Sequence, residues 1–213
     1  MTRRIRRKVA PVAIGLLGLA ALMASAQASS RSAREPTPAE AIIQATDIHN
    51  GAVDDMVIFA RQAKKAYKNC VAQEGSDPPD WRQVERDGQA LQLIEQKDLK
   101  PYNKRLLEWI AAIDQVKARG NARDLKQNAI KYLEKAHTTH GNEFYDFGTV
   151  GTDLVQHDCE KAIGDLNTAA SLGDKGKAWI DDHDGLLNAR KLLDVKKPAL
   201  SDKLLPYAEA GVG

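Results

Sequence analysis

Five histidines, with the acids spaced around them, are where this chain has the means for chemistry. Glu134-Lys135-Ala136-His137 is a Glu-x-x-His, the spacing that puts a carboxylate and an imidazole on one helix face. Di-iron helix bundles use two such pairs plus two further glutamates; a single one occurs here. Asp153 and His157 offer an acid and an imidazole at i, i+4. If the two segments form an antiparallel hairpin turning near residue 146, Glu134 and His137 stand level with Asp153 and His157. His140 and Glu143 then lie just beyond, nearer the turn. That is a two-acid, three-histidine pocket of a kind that zinc, copper or iron accepts. The competing reading needs no cofactor, because histidines near helix ends also meet solvent or cap carbonyls. His49 falls in the apolar seam of an earlier helix and reads as a hydrogen-bonded core histidine rather than a ligand.

Phe144-Tyr145-Asp146-Phe147 places three of the chain's aromatic residues within four positions, among Gly141, Gly148 and Gly151. Those glycines read as a connection between helices. The aromatics are then a hydrophobic plug under the bundle end, or a recognition edge for a partner formed by Phe144, Tyr145 and Phe147. Asp181-Asp182-His183-Asp184-Gly185 is acidic enough to test against a calcium loop. With Gly185 at the sixth position of an EF-hand, the first and twelfth fall on Ile180 and Lys191, which are the wrong chemistry. The run reads instead as a solvated helix start. Gly148-Thr149-Val150-Gly151 is a bare GxxG with no strand beside it, and nucleophile elbows, HExxH, P-loops and dinucleotide fingerprints are all missing.

The elements that must position these groups are helices. Thr37-Pro38-Ala39-Glu40 is a capping box with proline at the first helical position. From it runs a heptad seam of Ile42, Ala45, His49, Ala52, Met56, Phe59, Ala63, Ala66 and Cys70, closed by Gly75 and Pro78-Pro79. A weaker helix follows Asp80, with Gly88 interrupting it and Pro101 forcing a new start or a kink. Tyr102, Leu106, Trp109, Ile110, Ile113 and Val116 make the next apolar face. A fourth helix opens at Asn121, and a fifth carries Leu154, Val155, Cys159, Ala162, Ile163 and Leu166. Leu186 to Leu193 and Leu200 to Ala208 read as shorter C-terminal helices. No run alternates with period two. The expected fold is all-α, a bundle of four to five long antiparallel helices plus short C-terminal ones.

Cys70 and Cys159 are the two cysteines, with no CxxC, CxxCH or zinc spacing. Both fall on inward faces and are expected to form one disulfide. A closed loop of that length stabilises a fold by about 4–5 kcal/mol on the chain-entropy argument. The bond would pin the end of the first helix to the fifth. His49 is then about 30 Å from Cys70 along a straight helix, which excludes it from any site near 134–157.

Residues 1–28 read as a secretory signal peptide: a basic start from Arg3 to Lys8, an apolar stretch from Val12 to Ala24, and Ala26-Gln27-Ala28 at the cleavage position. The arginines suit an ordinary export signal or a twin-arginine one. A polar linker, 29–36, leads to a single helical domain, 37–213. The five basic residues of the leader account for the whole positive balance. Without them 26 basic residues face 29 acidic ones, a net charge of −3. That balance and the 5% aromatic content disfavour nucleic-acid binding, and nothing after the leader is long and apolar enough for a transmembrane helix.

These features describe a periplasmic or secreted, non-enzymatic helical bundle that binds another protein or an envelope component. The alternative is a metal-binding or redox bundle using Glu134/His137 and Asp153/His157. Export is directly testable: N-terminal sequencing of protein from the soluble envelope fraction should start at or near Ser29, and a Met1 start in the membrane pellet would refute it.

Overall fold

The computed structural model describes residues 35–172 and 176–203. The leader and the cleavage position lie outside those residues, as does most of the segment from Leu200 to Ala208. Everything described below belongs to the unit Pro36–Gly213.

α1 (Pro38–Glu74) begins as its sequence dictates. The Thr37 hydroxyl accepts from the Glu40 N–H at 3.3 Å, and the Glu40 carboxylate accepts from the Thr37 N–H at 2.7 Å. The heptad seam from Ile42 to Cys70 is buried along its length. α2 (Arg82–Ile94) runs through a π-turn (Glu95–Leu99) directly into α3 (Lys100–Asp114). The new start expected at Pro101 is present: the proline sits in the first turn of α3, directly after the π-turn, where its missing N–H is harmless. The expected interruption at Gly88 is missing, because Gly88 is a buried position inside α2.

The main departure from expectation is α4 (Asn121–Val155), one continuous helix of 35 residues. The hairpin turning near residue 146 does not form. The glycines read as a connection are contact points for neighbouring helices. A methyl group on Gly151 would stand 2.7 Å from the Gly88 carbonyl oxygen and from Gln92 Cγ. One on Gly148 would stand 3.2 Å from the Glu95 carboxyl carbon. Buried Glu95 fills that space and is held by Lys100 Nζ at 2.6 Å. Glycine here serves close approach of backbones rather than a turn.

α4 ends at a local reversal where His157 adopts a left-handed φ of 64°. The Asp158 carboxylate then accepts the Lys161 N–H at 3.0 Å and caps α5 (Cys159–Leu172). The fifth helix thus starts at Cys159, five residues later than Leu154. Cys70 and Cys159 are bonded, with Cα atoms 5.7 Å apart. The expected disulfide is present, and it joins the last turn but one of α1 to the first residue of α5.

α6 (Lys177–Leu192) follows Gly176, whose φ is 92°. Gly185 presses on Leu133 of α4, with a methyl there meeting Leu133 Cγ at 2.7 Å. Residues 195–203 cross back over α1, where Asn50 donates to the Ala199 carbonyl at 2.8 Å and accepts from the Ser201 N–H at 2.7 Å.

Cross-contacts give the direction of each element. His49 meets Tyr102 and Asn69 meets Asp87, so α1 and the α2–α3 run are antiparallel. Asn103 lies beside Gly141 and Gly88 beside Gly151, so α3 and α4 are antiparallel. Lys161 pairs with Asp153 and Lys135 with Asp181, so α5 and α6 return along α4 in succession. The result is an up-down-up-down bundle whose second and fourth legs are each built of two helices. Among the described residues there is no strand, and no helix is long and apolar enough to cross a membrane.

The Gly88–Gly151 crossing leaves no room for a side chain. Gly151→Ala should lower unfolding free energy by about 1–3 kcal/mol, the range for overpacking a tight contact. Urea denaturation checks it; an unchanged midpoint would mean the helices are farther apart.

Candidate functional site

The residues gathered at the centre of the bundle are largely not those that the spacing singled out. Glu134 is exposed on α4, and His137 is half-buried, with Nδ1 at 3.0 Å from both the backbone oxygen and Oδ1 of Asn103. Asp153 is buried and bound by Lys161 Nζ at 2.6 Å. Burial pushes its carboxyl up, with Lys161 pulling the other way. His157 stacks on Trp81, with ring centroids 4.4 Å apart, and its Nε2 lies 2.9 Å from Glu85 Oε1. Glu134 and Asp153 are 19 positions apart on one straight helix, about 28 Å along its axis. The expected two-acid, three-histidine pocket is therefore not assembled. The aromatic group divides as well. Phe144 and Phe147 are core side chains, Phe147 lying 4.6 Å from Phe59, whereas Tyr145 is 68% exposed. They form neither a plug under a bundle end nor a joint recognition edge.

Of the five candidate metal residues, only His140 reaches the polar centre. There it meets residues from every other leg of the bundle. The hub is Asp182 of α6, with 0% exposure. Tyr102 of α3 donates its hydroxyl to Asp182 Oδ2. His49 of α1 places Nδ1 at 3.3 Å from the same oxygen and 2.8 Å from the Tyr102 hydroxyl. His140 of α4 points Nε2 at it from 3.8 Å, beyond hydrogen-bond range. On its other edge, His140 Nδ1 lies 3.1 Å from Glu143 Oε2, one turn further along α4. Glu143 is itself buried at 3%.

Aromatic rings wall this cluster. Trp179 packs edge-on to His140 at 4.4 Å and stacks on Tyr102 at 5.5 Å. Phe144 stacks on the far face of His140 at 4.8 Å. The His183 ring stands 6.4 Å from that of His49, at the margin. Three polar atoms in this small volume have no hydrogen-bond partner among the described residues: His140 Nε2, Asp182 Oδ1 and Trp179 Nε1. Asp181, the neighbour of the hub, forms ion pairs elsewhere, with Lys135 at 2.9 Å and Lys177 at 2.8 Å.

Two expectations are corrected here. The Asp181–Gly185 run is not a solvated helix start, since Asp181, Asp182 and Gly185 are all buried. His49 is the hydrogen-bonded core histidine expected, but it does share a site with a residue of the 134–157 segment, through Asp182. The distance argument against His49 and His157 holds, because His157 belongs to the disulfide end of the bundle. It fails for His140, which a continuous α4 places about 25 Å from His157, in the middle of the bundle.

A shallow groove of about 280 Å³ lies outside the cluster, lined by residues that include Asp55, Lys97, Asp98, Arg105 and Tyr102. Burial and then the charges of Asp98 and Asp54 push the Asp55 carboxyl up. Tyr102 thus has one edge towards this groove and its hydroxyl in the buried network.

No family model matches the chain, and neither a curated protein nor a solved structure is similar to it.

Sequence reasoning missed Tyr102 and Asp182 as functional candidates. The one available signal for Asp182 was helical spacing: Asp182, Leu186 and Ala189 share the inward face of α6. The network makes a quantitative demand. Tyr102→Phe removes the Asp182 donor without changing ring packing and should cost about 1–3 kcal/mol, the price of a buried acceptor left unpaired. Chemical denaturation with unchanged helical circular dichroism tests this. No loss of stability would show that the hydroxyl and the carboxylate are not partners.

Proposed function

We propose that this protein is a non-enzymatic binding bundle of an exported compartment, and that its ligand is held in the polar centre formed by His49, Tyr102, His140, Glu143 and Asp182. One observation carries the reading: all four legs of the bundle send a polar side chain to one point, where three buried polar atoms lack a partner. Apolar residues of similar volume would fill that space at lower desolvation cost.

The binding reading is favoured over catalysis because the polar groups are closed in. His49, His140 and Asp182 are each 0–1% exposed, which leaves no opening for an organic substrate. The disulfide supports export, since such bonds persist in oxidising compartments. A protein or envelope component remains the second reading. Tyr145, with two-thirds of its surface in water, is the residue of the expected recognition edge still free to serve it.

Native mass spectrometry of the protein, purified from its own envelope fraction without denaturant, separates these readings. The core-ligand reading expects added mass that leaves on unfolding. A stoichiometric protein partner with no added small mass would favour the second reading. A chain of bare mass, with neither ligand nor partner, would overturn both.

A further inference from the structure

We infer that His140 carries a proton on each of its ring nitrogens in the folded protein, held between the carboxylates of Glu143 and Asp182, and that this one buried proton makes the cohesion of the four legs sensitive to pH. This charge state does not rest on the reading that a ligand is held in the polar centre. Glu143 is 3% exposed and Asp182 0%, and the ion-pair partners of both among the described residues are histidines. Two carboxylates in a water-poor core, with neither a lysine nor an arginine against them, carry a large desolvation cost. A proton taken up between them lowers it.

The hydrogen bonds decide which ring takes that proton. Tyr102 donates its hydroxyl to Asp182 Oδ2. His49 Nδ1 lies 2.8 Å from the Tyr102 oxygen and 3.3 Å from Asp182 Oδ2, so it faces two acceptors and is a donor. One proton on that nitrogen suffices for both. His140 differs in having an acid at each edge, with Nδ1 3.1 Å from Glu143 Oε2 and Nε2 3.8 Å from Asp182 Oδ2. With a single proton, one edge would turn a lone pair towards a carboxylate oxygen. With two, Nδ1 donates to Glu143 and Nε2 faces Asp182 across the gap of an ion pair. Imidazole is more basic than a carboxylate, so the proton rests on the ring. The aromatic wall favours the same charge: Trp179 at 4.4 Å and Phe144 at 4.8 Å lie within the distance at which such rings attract a cation.

The charged and titratable groups around the ring come from each leg. α1 supplies His49, α3 Tyr102 and α6 Asp182, with His183 at the margin. Asp181 is taken by Lys135 and Lys177, and Glu95 of the π-turn by Lys100. A proton bound by the fold and not by the unfolded chain makes stability depend on pH. An unfolded histidine is mostly neutral above about pH 6.5. The folded protein then binds one proton more than the unfolded chain. Its contribution is therefore full below that pH and is lost as the pH rises, until the ring releases the proton. In that range the unfolding equilibrium constant should rise about tenfold per pH unit. Release would weaken every leg's hold at once, because Tyr102 and His49 reach His140 through Asp182.

Two measurements on the disulfide-intact protein test this. Nitrogen-15 NMR of the histidine rings, with the His140 signals assigned through the chain, should show both of its nitrogens protonated at about pH 7.5, where an ordinary histidine is neutral. Urea denaturation from about pH 6.5 to 9 should show the tenfold-per-unit slope as a difference between wild type and His140→Gln, whose side chain takes up no proton. The slope is the readout, since loss of packing alone would lower stability equally at every pH. Glu143→Gln neutralises one flank, so the His140 ring should release its second proton at lower pH than in wild type, with helical circular dichroism unchanged. A His140 ring with one protonated nitrogen at about pH 7.5 would overturn the inference. So would equal slopes in wild type and His140→Gln, or the second proton residing on His49. Should His140→Gln fail to fold, Glu143→Gln decides, and an unchanged pH of release there overturns it too.

Discussion

The carboxylate of Asp182 is the group on which the register of the bundle depends. A buried charge of this kind is costly to leave without partners, and its partners come from three other legs. Tyr102 and His49 must reach it from α3 and α1, and His140 must face it from α4. Sliding any leg by one turn would move its side chain by about 5.4 Å and strand the acid. Apolar seams alone tolerate such slips, because one leucine layer resembles the next. The polar layer does not, so it selects one alignment among several that bury similar area.

One end of the bundle is aligned by different chemistry. Cys70 and Cys159 join α1 to the start of α5, and His157 and Trp81 stack beside Glu85 at the entry to α2. Between that end and the polar centre, Gly88 and Gly151 let the backbones of α2 and α4 touch and Gly148 admits Glu95; beyond the centre, Gly185 brings α6 onto Leu133. α4 packs against α2, α3, α5 and α6, and glycine thins its surface where α2, the π-turn and α3 meet it. The π-turn at 95–99 belongs to the same arrangement: it turns the Glu95 carboxylate into the space above Gly148 while the helical run continues past Pro101.

This division separates a covalently secured end from a centre secured by hydrogen bonds. The polar layer joins all four legs through Asp182, and the disulfide joins two of them covalently.

What the sequence by itself determined is local. The Thr37–Glu40 capping box, the seam from Ile42 to Cys70 and the apolar face from Tyr102 to Ile113 follow from periods of three and four residues and from short-range hydrogen bonds. They are read without knowing any neighbour. The pairing of the two cysteines was also legible, because both lie on inward faces. Tertiary structure decided the rest. Glycine permits a turn and a close helix contact equally well, so whether Gly141, Gly148 and Gly151 end a helix or receive one depends on what packs there. That choice made α4 continuous, dispersed Glu134, His137, Asp153 and His157 along its length, and carried His140 to Asp182. An acid in a run of acids reads as solvated until a tyrosine and two histidines from three distant segments close over it. Those contacts span 42 to 133 residues of chain, and no local pattern encodes them.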